Sequence, residues 1–195
     1  MNKLTKIMLA GMSCAVLPLA AMALEPFRNT ITGDPLDLSI APKDDPEPEA
    51  VKKFLETGVN PYNEMKECLP RGEFLFLSSC SGCHGHLAEG KVGPGLNDSY
   101  WTYPKNKTDK GLFETIYGGA QGMMGPHSDK SINEILQIMA WIRHLYTGEP
   151  KTARWLTAEQ REAFKPYVEP KDGGEHGTAE LANAAPVDQC GPMRH

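Results

Sequence analysis

The chain has 195 residues, with 20 Lys and Arg against 25 Asp and Glu and a formal net charge of −5. That is the size of a single domain with room for a real core, and the acidic balance argues against nucleic acid and anionic membrane surfaces as partners. Protein partners with basic docking patches are favoured instead.

The first elements concern export. Lys3 and Lys6 make a positive start, residues 7–20 are mainly apolar, and Ala21-Met22-Ala23 has the small-x-small form of a signal-peptidase site. The apolar run is too short to span a bilayer comfortably, and polar, proline-rich chain follows it. Residues 1–23 are therefore expected to be a cleaved signal peptide, with no membrane anchor, and residues 24–195 a single exported domain. Cys14 falls inside the apolar run and belongs to the signal. Four of the five cysteines remain after cleavage: Cys68, Cys80, Cys83 and Cys190. Export places them in an oxidising compartment, where spare thiols pair.

Residues 34–50 carry four prolines and many acids and read as an extended arm rather than a packed element. A short helix is predicted over 49–56, closed by Gly58 and the turn Asn60-Pro61-Tyr62-Asn63. A second helix is predicted from about Gly72, with Phe74, Leu75, Leu77 and Ser78 on adjoining faces, running into the cysteine motif. Residues 90–98 form a glycine-rich loop. A third helix starts at Thr108 or Asp109 and ends at Gly118-Gly119. The clearest helix follows Ser131. Ser131 and Glu134 make a capping box, and Ile135, Ile138, Met139, Ile142, Leu145 and Tyr146 fall at helical spacing, with Gly148 and Pro150 as the stop. Thr157 and Gln160 repeat the cap signature before a short helix through Phe164. Beyond Pro170 the chain is poor in apolar residues. No repeat and no convincing period-2 alternation is present, so the fold class is all-α with long loops.

Cys80-Ser81-Gly82-Cys83-His84 is a c-type haem attachment pattern. Two thiols three positions apart on one helical turn can reach the two vinyl groups of a porphyrin. The next residue, His84, is then carried beneath the ring as an iron ligand. A thioredoxin-like pair would need a βαβ context, and a zinc site would need a second Cys or His pair at zinc spacing; neither is present. His86 reads as a solvated loop residue and His144 as a polar residue near a helix C-terminus.

The other axial position has candidates in "GGAQGMMGPH", residues 118–127. The glycines let the backbone approach a haem face, and Pro126 stiffens the exit. Methionine's soft thioether favours Fe(II) and raises the potential; a histidine lowers it, and an empty position admits small ligands. Met123 and Met124 are neighbours that point opposite ways in an extended loop. The pattern alone leaves the choice between them open.

"CSGCHGHLAEGKVGPGLNDSYWTYPKN" followed by "TDKGLFETIYGGAQGMMGPH" resembles the cytochrome c(L) family, closely from Cys80 to His127 and loosely over the arm and tail. "WTYPKN" and "GGAQGMMGPH" discriminate far better than the CxxCH motif. The resemblance implies a class I cytochrome c core, about residues 68–148, with extensions 24–67 and 149–195. It implies one covalent haem c on Cys80 and Cys83, with His84 and Met124 as axial ligands; Met123 is the fallback. It implies that the Pro94 carbonyl accepts a hydrogen bond from the His84 imidazole, and that His127 is a non-ligand near the pocket. Members can also carry a Ca2+ near a haem propionate. Trp101 and Tyr103 would lie near the haem edge or pack against the ring and loop. With two cysteines consumed by haem, the even remainder, Cys68 and Cys190, implies a disulfide tethering the tail, and the resemblance points the same way.

The implied function is one-electron transfer in the periplasm rather than enzymatic catalysis. The donor would be a quinoprotein methanol dehydrogenase, the acceptor a second small cytochrome c, and the carrier a monomer. The rival readings are a carrier serving another periplasmic dehydrogenase, and a ligand-binding haem sensor or peroxidase.

Overall fold

The computed structural model describes residues 25–169 and 190–191. The expected signal peptide lies outside the described residues, as does most of the tail. The helices are α1 (Glu49–Thr57), α2 (Leu69–Ser79), α3 (Ser81–His84), α4 (Asp109–Gly118), α5 (Ile132–His144) and α6 (Ala158–Ala163). Single 3-10 turns occupy Leu38–Ile40, Pro61–Glu64, Lys66–Cys68, Pro104–Lys107 and Pro150–Thr152. No strand occurs among the described residues, which hold one isolated bridge between Arg28 and Pro35. The all-α expectation stands.

Local chemistry accounts for most helix ends. Ser131 Oγ accepts from the Glu134 amide at 3.2 Å and Glu134 Oε2 accepts from the Ser131 amide at 2.8 Å, so the capping box forms as read. Thr157 and Gln160 make the same reciprocal pair at α6, whose last helical residue is Ala163, one before Phe164. Thr108 caps α4 through Gly111. α1 closes on Gly58 in the left-handed conformation, φ 70°, where a side chain would be strained. α2 begins at Leu69, three residues before the predicted Gly72. Pro70 lies in its first turn, where a missing N–H removes no helical bond.

The face of α2 also differs from expectation. Phe74 is exposed and Leu75 and Leu77 are half-buried, while Arg71, Gly72, Glu73 and Phe76 turn inward. The reason is the crossing with α5. A side chain at Gly72 would collide with the Gln137 carbonyl, so glycine permits the two backbones to meet. α5 is correspondingly buried on nearly all sides, polar Asn133, Gln137 and Arg143 included. The polar seam has a purpose. The Cys190 carbonyl accepts from Gln137 Nε2 at 2.6 Å and Asn133 Nδ2 at 3.2 Å, and the Gly191 carbonyl from Arg71 Nη1 at 2.6 Å. Cys68 and Cys190 are disulfide-bonded across 122 residues. Closing such a loop removes roughly 4–5 kcal/mol of unfolded-chain entropy in the simple model.

Residues 34–50, expected to be unpacked, bury Ala41, Pro48 and Ala50, and the chain just before them packs as well. Phe27 inserts between Phe54 of α1 and Phe113 of α4, with ring centroids 5.5 and 5.3 Å away. Tyr117 donates its hydroxyl to the Asp37 carbonyl at 2.7 Å. The prolines do keep the chain extended, but extended chain can still dock short apolar residues. Burying one such ring contributes about 1.5–3 kcal/mol.

Glu114 fixes this arm electrostatically. Its carboxylate accepts from Lys110 at 2.5 Å, Lys105 at 2.6 Å and the Arg28 amide at 2.8 Å. Burial acts to raise its pKa, but these partners together hold it below the usual carboxylate value. A depressed folded pKa gives stability that is complete above the unfolded value of about 4.3 and is lost as pH falls through the folded one. Protection of the Arg28 amide, taken relative to its intrinsic exchange rate at each pH, should therefore be high at pH 6 and fall as pH drops below the unfolded carboxylate value of about 4.3, and Glu114→Gln should abolish most of that dependence.

Candidate haem site

The end of α2 delivers the motif. Cys80 breaks the helix, and α3 is one turn that places Cys80 and Cys83 at the mouth of a cleft and His84 in its wall. The chain then folds back under that turn. The Gly93 amide donates to the Cys83 carbonyl at 2.8 Å and the Gly90 amide to the His84 carbonyl at 2.7 Å. This brings Pro94 to the imidazole: His84 Nδ1 lies 2.8 Å from the Pro94 carbonyl. A carbonyl only accepts, so Nδ1 carries a proton, and in the neutral imidazole that tautomer leaves the Nε2 lone pair free. Gly93 lies flat against the ring; a Cβ there would stand 2.7 Å from His84 Cε1.

The opposite wall is the 118–127 loop. Gly119 (φ 82°) and Gly122 (φ 92°) turn it, the Ala120 amide donates to the Met124 carbonyl at 3.0 Å, and the His127 amide to Ile116 at 3.1 Å. Tyr103 takes the Gln121 amide on its hydroxyl at 3.0 Å, so "WTYPKN" pins the loop. Met124 is half-buried against the core, while Met123 on the rim is 83% exposed. Trp101, buried, and Leu112, Ile116, Ile138 and Ile142 complete the apolar lining. The cleft encloses about 400 Å³, and among the described residues no Asp, Glu, Lys or Arg lines it.

The expected residues Cys80, Cys83, His84, Pro94, Met123, Met124 and His127 thus gather on one cleft. His127 is half-buried, and that burial lowers its pKa, so it stays neutral at pH 7. His86 is exposed. His144 stacks near Trp141 and Tyr167 on the exposed face of α5, away from the cleft. Burial pushes the Cys80 thiol up to about 11, the reverse of the lowered value that a thiol–disulfide exchange pair requires. No group of three or more His, Cys, Asp or Glu side chains that could hold a metal ion gathers among the described residues. The donor set fits a covalently held haem: unpaired thiols at the rim, one imidazole with an available Nε2, a thioether opposite and apolar walls. Sequence reasoning missed Asn106, whose side chain accepts from Thr115 at 2.7 Å in the cleft wall. It also missed Arg143 behind that wall. Neither has a local signal, because their partners are distant in sequence.

A helical chain with this cleft is a class I c-type cytochrome, a haem-bearing electron-transport protein. A family model described as cytochrome C oxidase, cbb3-type, subunit III matches residues 69–168. Cytochrome c-L of Methylorubrum extorquens is 61% identical over 151 residues, covering 75% of this chain and 77% of that protein. The cbb3-type cytochrome c oxidase subunit CcoP of Rubrivivax gelatinosus is 35% identical over 75 residues, 38% of this chain and 24% of its own. The crystal structure of cytochrome cL from the marine methylotrophic bacterium Methylophaga aminisulfidivorans aligns with TM-score 0.72 at 57% identity, covering 76% of this chain and 99% of that one. That of cytochrome cL from Hyphomicrobium denitrificans gives 0.69 at 59% identity, covering 75% and 88%. The chain belongs to the cytochrome c-L family.

Gly93→Ala should push the imidazole off its Pro94 partner. The yield of covalently attached haem, measured against wild type in the same maturation host, should fall severalfold, whereas Gly82→Ala, with open space around it, should leave the yield unchanged.

Proposed function

We propose that this protein accepts electrons one at a time from the reduced quinone cofactor of a methanol dehydrogenase in the periplasm and passes them to a second, small cytochrome c. The observation that carries the reading is the pairing, across one uncharged cleft, of an oriented imidazole with a half-buried methionine in a cytochrome c-L family chain. Cys80 and Cys83 would hold the haem through thioethers, His84 would bind its iron through Nε2, and Met124 would bind from the far side. The haem supplies a one-electron Fe(III)/Fe(II) couple. Pro94 orients the imidazole and raises its basicity through the Nδ1 bond. The choice of Met124 rests on its burial against the core, while Met123 extends from the rim into solvent. A methionine held inward also favours an electron carrier over a sensor or peroxidase, which need an open or labile position. No bond chemistry is assigned to the protein.

Docking would use the exposed rim. Cys83, Val92 and Met123 are exposed beside the cleft mouth, and small interfaces of this kind suit encounters that release quickly. The signal sequence at residues 1–23 supports a periplasmic site, and no described helix is long and apolar enough to cross a membrane. The Ca2+ of the family would depend on oxygens other than a carboxylate cluster of the described residues. A monomer suffices for this role.

Met124→Ala should lose the methionine-to-iron charge-transfer band at the red end of the visible spectrum, while Met123→Ala should keep it; the opposite result would shift the assignment by one residue. In stopped flow, methanol plus a methanol dehydrogenase should reduce the oxidised protein rapidly. Reduction only by dehydrogenases for other substrates would refute the donor.

A further inference from the structure

The end of α4 is closed from outside the helix. The last carbonyls of an α-helix have no partner within it, and a left-handed residue just past the end commonly turns following amides back to them. Gly119 stands at that place with φ 82° and ψ 173°, so the chain is led away instead. Two of the stranded carbonyls are answered from a distance. The Ile116 carbonyl accepts from the His127 amide at 3.1 Å. The Gly118 carbonyl accepts from Asn29 Nδ2 at 3.1 Å, a donor 89 residues earlier in the chain.

Asn29 is held so that it faces this carbonyl. Its Oδ1 accepts from the amides of Ile31 at 2.8 Å and Thr32 at 3.0 Å, and its own backbone pairs with Asp34 and Gly33. Flipping the side-chain amide would cost both Oδ1 bonds, so Nδ2 is left pointing at α4. The approach is close. A Cβ on Gly118 would stand 3.1 Å from that nitrogen and 3.0 Å from Leu36 Cδ2, so glycine at the helix end lets the arm lie against it.

What leaves α4 at this point is the loop that carries Met124. That loop is folded on itself. The Ala120 amide donates to the Met124 carbonyl at 3.0 Å, and a Cβ on Gly119 would meet the Pro126 nitrogen at 2.9 Å. A loop closed in this way moves as a unit about its attachments. Those are its root at Gly118, the Tyr103 hydroxyl that takes the Gln121 amide, and the bond from His127 to Ile116. Asn29 itself does not line the cleft, so any effect it has on the site passes through the loop.

We propose that Asn29 is a positioning residue for the methionine side of the site. By capping the last carbonyl of α4 from the N-terminal arm, it fixes the root of the 118–127 loop. Met124 is thereby kept turned into the cleft and slow to leave an iron held there. This role rests on a haem occupying the cleft with Met124 as its ligand opposite His84. It also joins the arm, which lies outside the cytochrome core, to the behaviour of the site.

The test is the opening rate of the methionine–iron bond in the oxidised holoprotein. Saturating imidazole traps each opening, so the rate at which the methionine-to-iron band disappears equals the rate at which the methionine leaves. Asn29→Asp keeps the acceptor for Ile31 and Thr32 and removes the donor to Gly118. Asn29→Ala removes both and adds no charge. Thr32→Val, which removes only the acceptor of the Asp34 amide in the same turn, is the control. Both Asn29 variants should open faster than wild type by roughly threefold to tenfold, the range that one hydrogen bond spans. Thr32→Val should open at the wild-type rate. An Asn29→Asp protein that opens no faster than wild type overturns the proposal. Equal acceleration in Thr32→Val does so too, because the effect then lies in the turn rather than in the cap. If one Asn29 variant does not fold, the other decides alone. A parent protein without the methionine-to-iron band, or a Met124→Ala protein that keeps it, overturns the underlying site reading instead.

Discussion

The hydrogen bond from His84 Nδ1 to the Pro94 carbonyl is the constraint around which the molecule is arranged. An imidazole offered to a metal through one nitrogen, as proposed for His84, has to be held by the other, or it rotates and changes tautomer. Holding it requires a carbonyl at a fixed place, and the loop from Gly90 to Leu96 exists in the shape that provides one. Its amides return to Cys83, His84 and Ala88, so the ring, the motif turn and the loop form one hydrogen-bonded unit. Glycine at 93 follows from that closeness rather than from backbone conformation, since the ring occupies the space where a side chain would stand.

The rest of the fold serves to present a second wall to that unit. α4 and α5 supply Leu112, Ile116, Ile138 and Ile142, and the methionine loop is hung from α4 by the His127 amide and braced by Tyr103. The α2–α5 crossing carries the load between the two walls. It is a mixed interface: Gly72 allows contact of the backbones, Phe76 and Ile138 give apolar surface, and Arg71, Asn133 and Gln137 donate to the carbonyls of Cys190 and Gly191. A polar seam in a helix crossing would be destabilising if left unsatisfied. Here the carbonyls of Cys190 and Gly191, held in place by the disulfide, accept from the Arg71, Asn133 and Gln137 donors of that seam.

The two extensions solve related problems on other faces. The N-terminal arm brings Phe27 into an aromatic cluster and lets Glu114 share its carboxylate among two lysines and a backbone amide. The segment after α5 places Trp155 against Arg143 and packs its own small cluster with Tyr146, Leu156 and Phe164. Each extension therefore covers a charged group that the central helices bury only in part.

The sequence by itself determined whatever is local. CxxCH carries its expected chemistry locally, because the two thiols and the following imidazole lie on one turn. The caps at Ser131 and Thr157 form between residues three apart, and the left-handed stop at Gly58 depends on one residue. The rivalry of Met123 and Met124 was bounded by alternation but open, because which neighbour turns inward depends on the α4 end and on Tyr103. Tertiary structure alone decided the inward face of α2, the docking of a proline-rich arm, the carbonyl acceptors that bury Arg71 and Gln137, and the placing of Arg143 behind the cleft. Those are partnerships across tens of residues. A polar side chain in a helix reads as solvent-facing until the chain that satisfies it is brought into contact, and only the folded molecule supplies that partner.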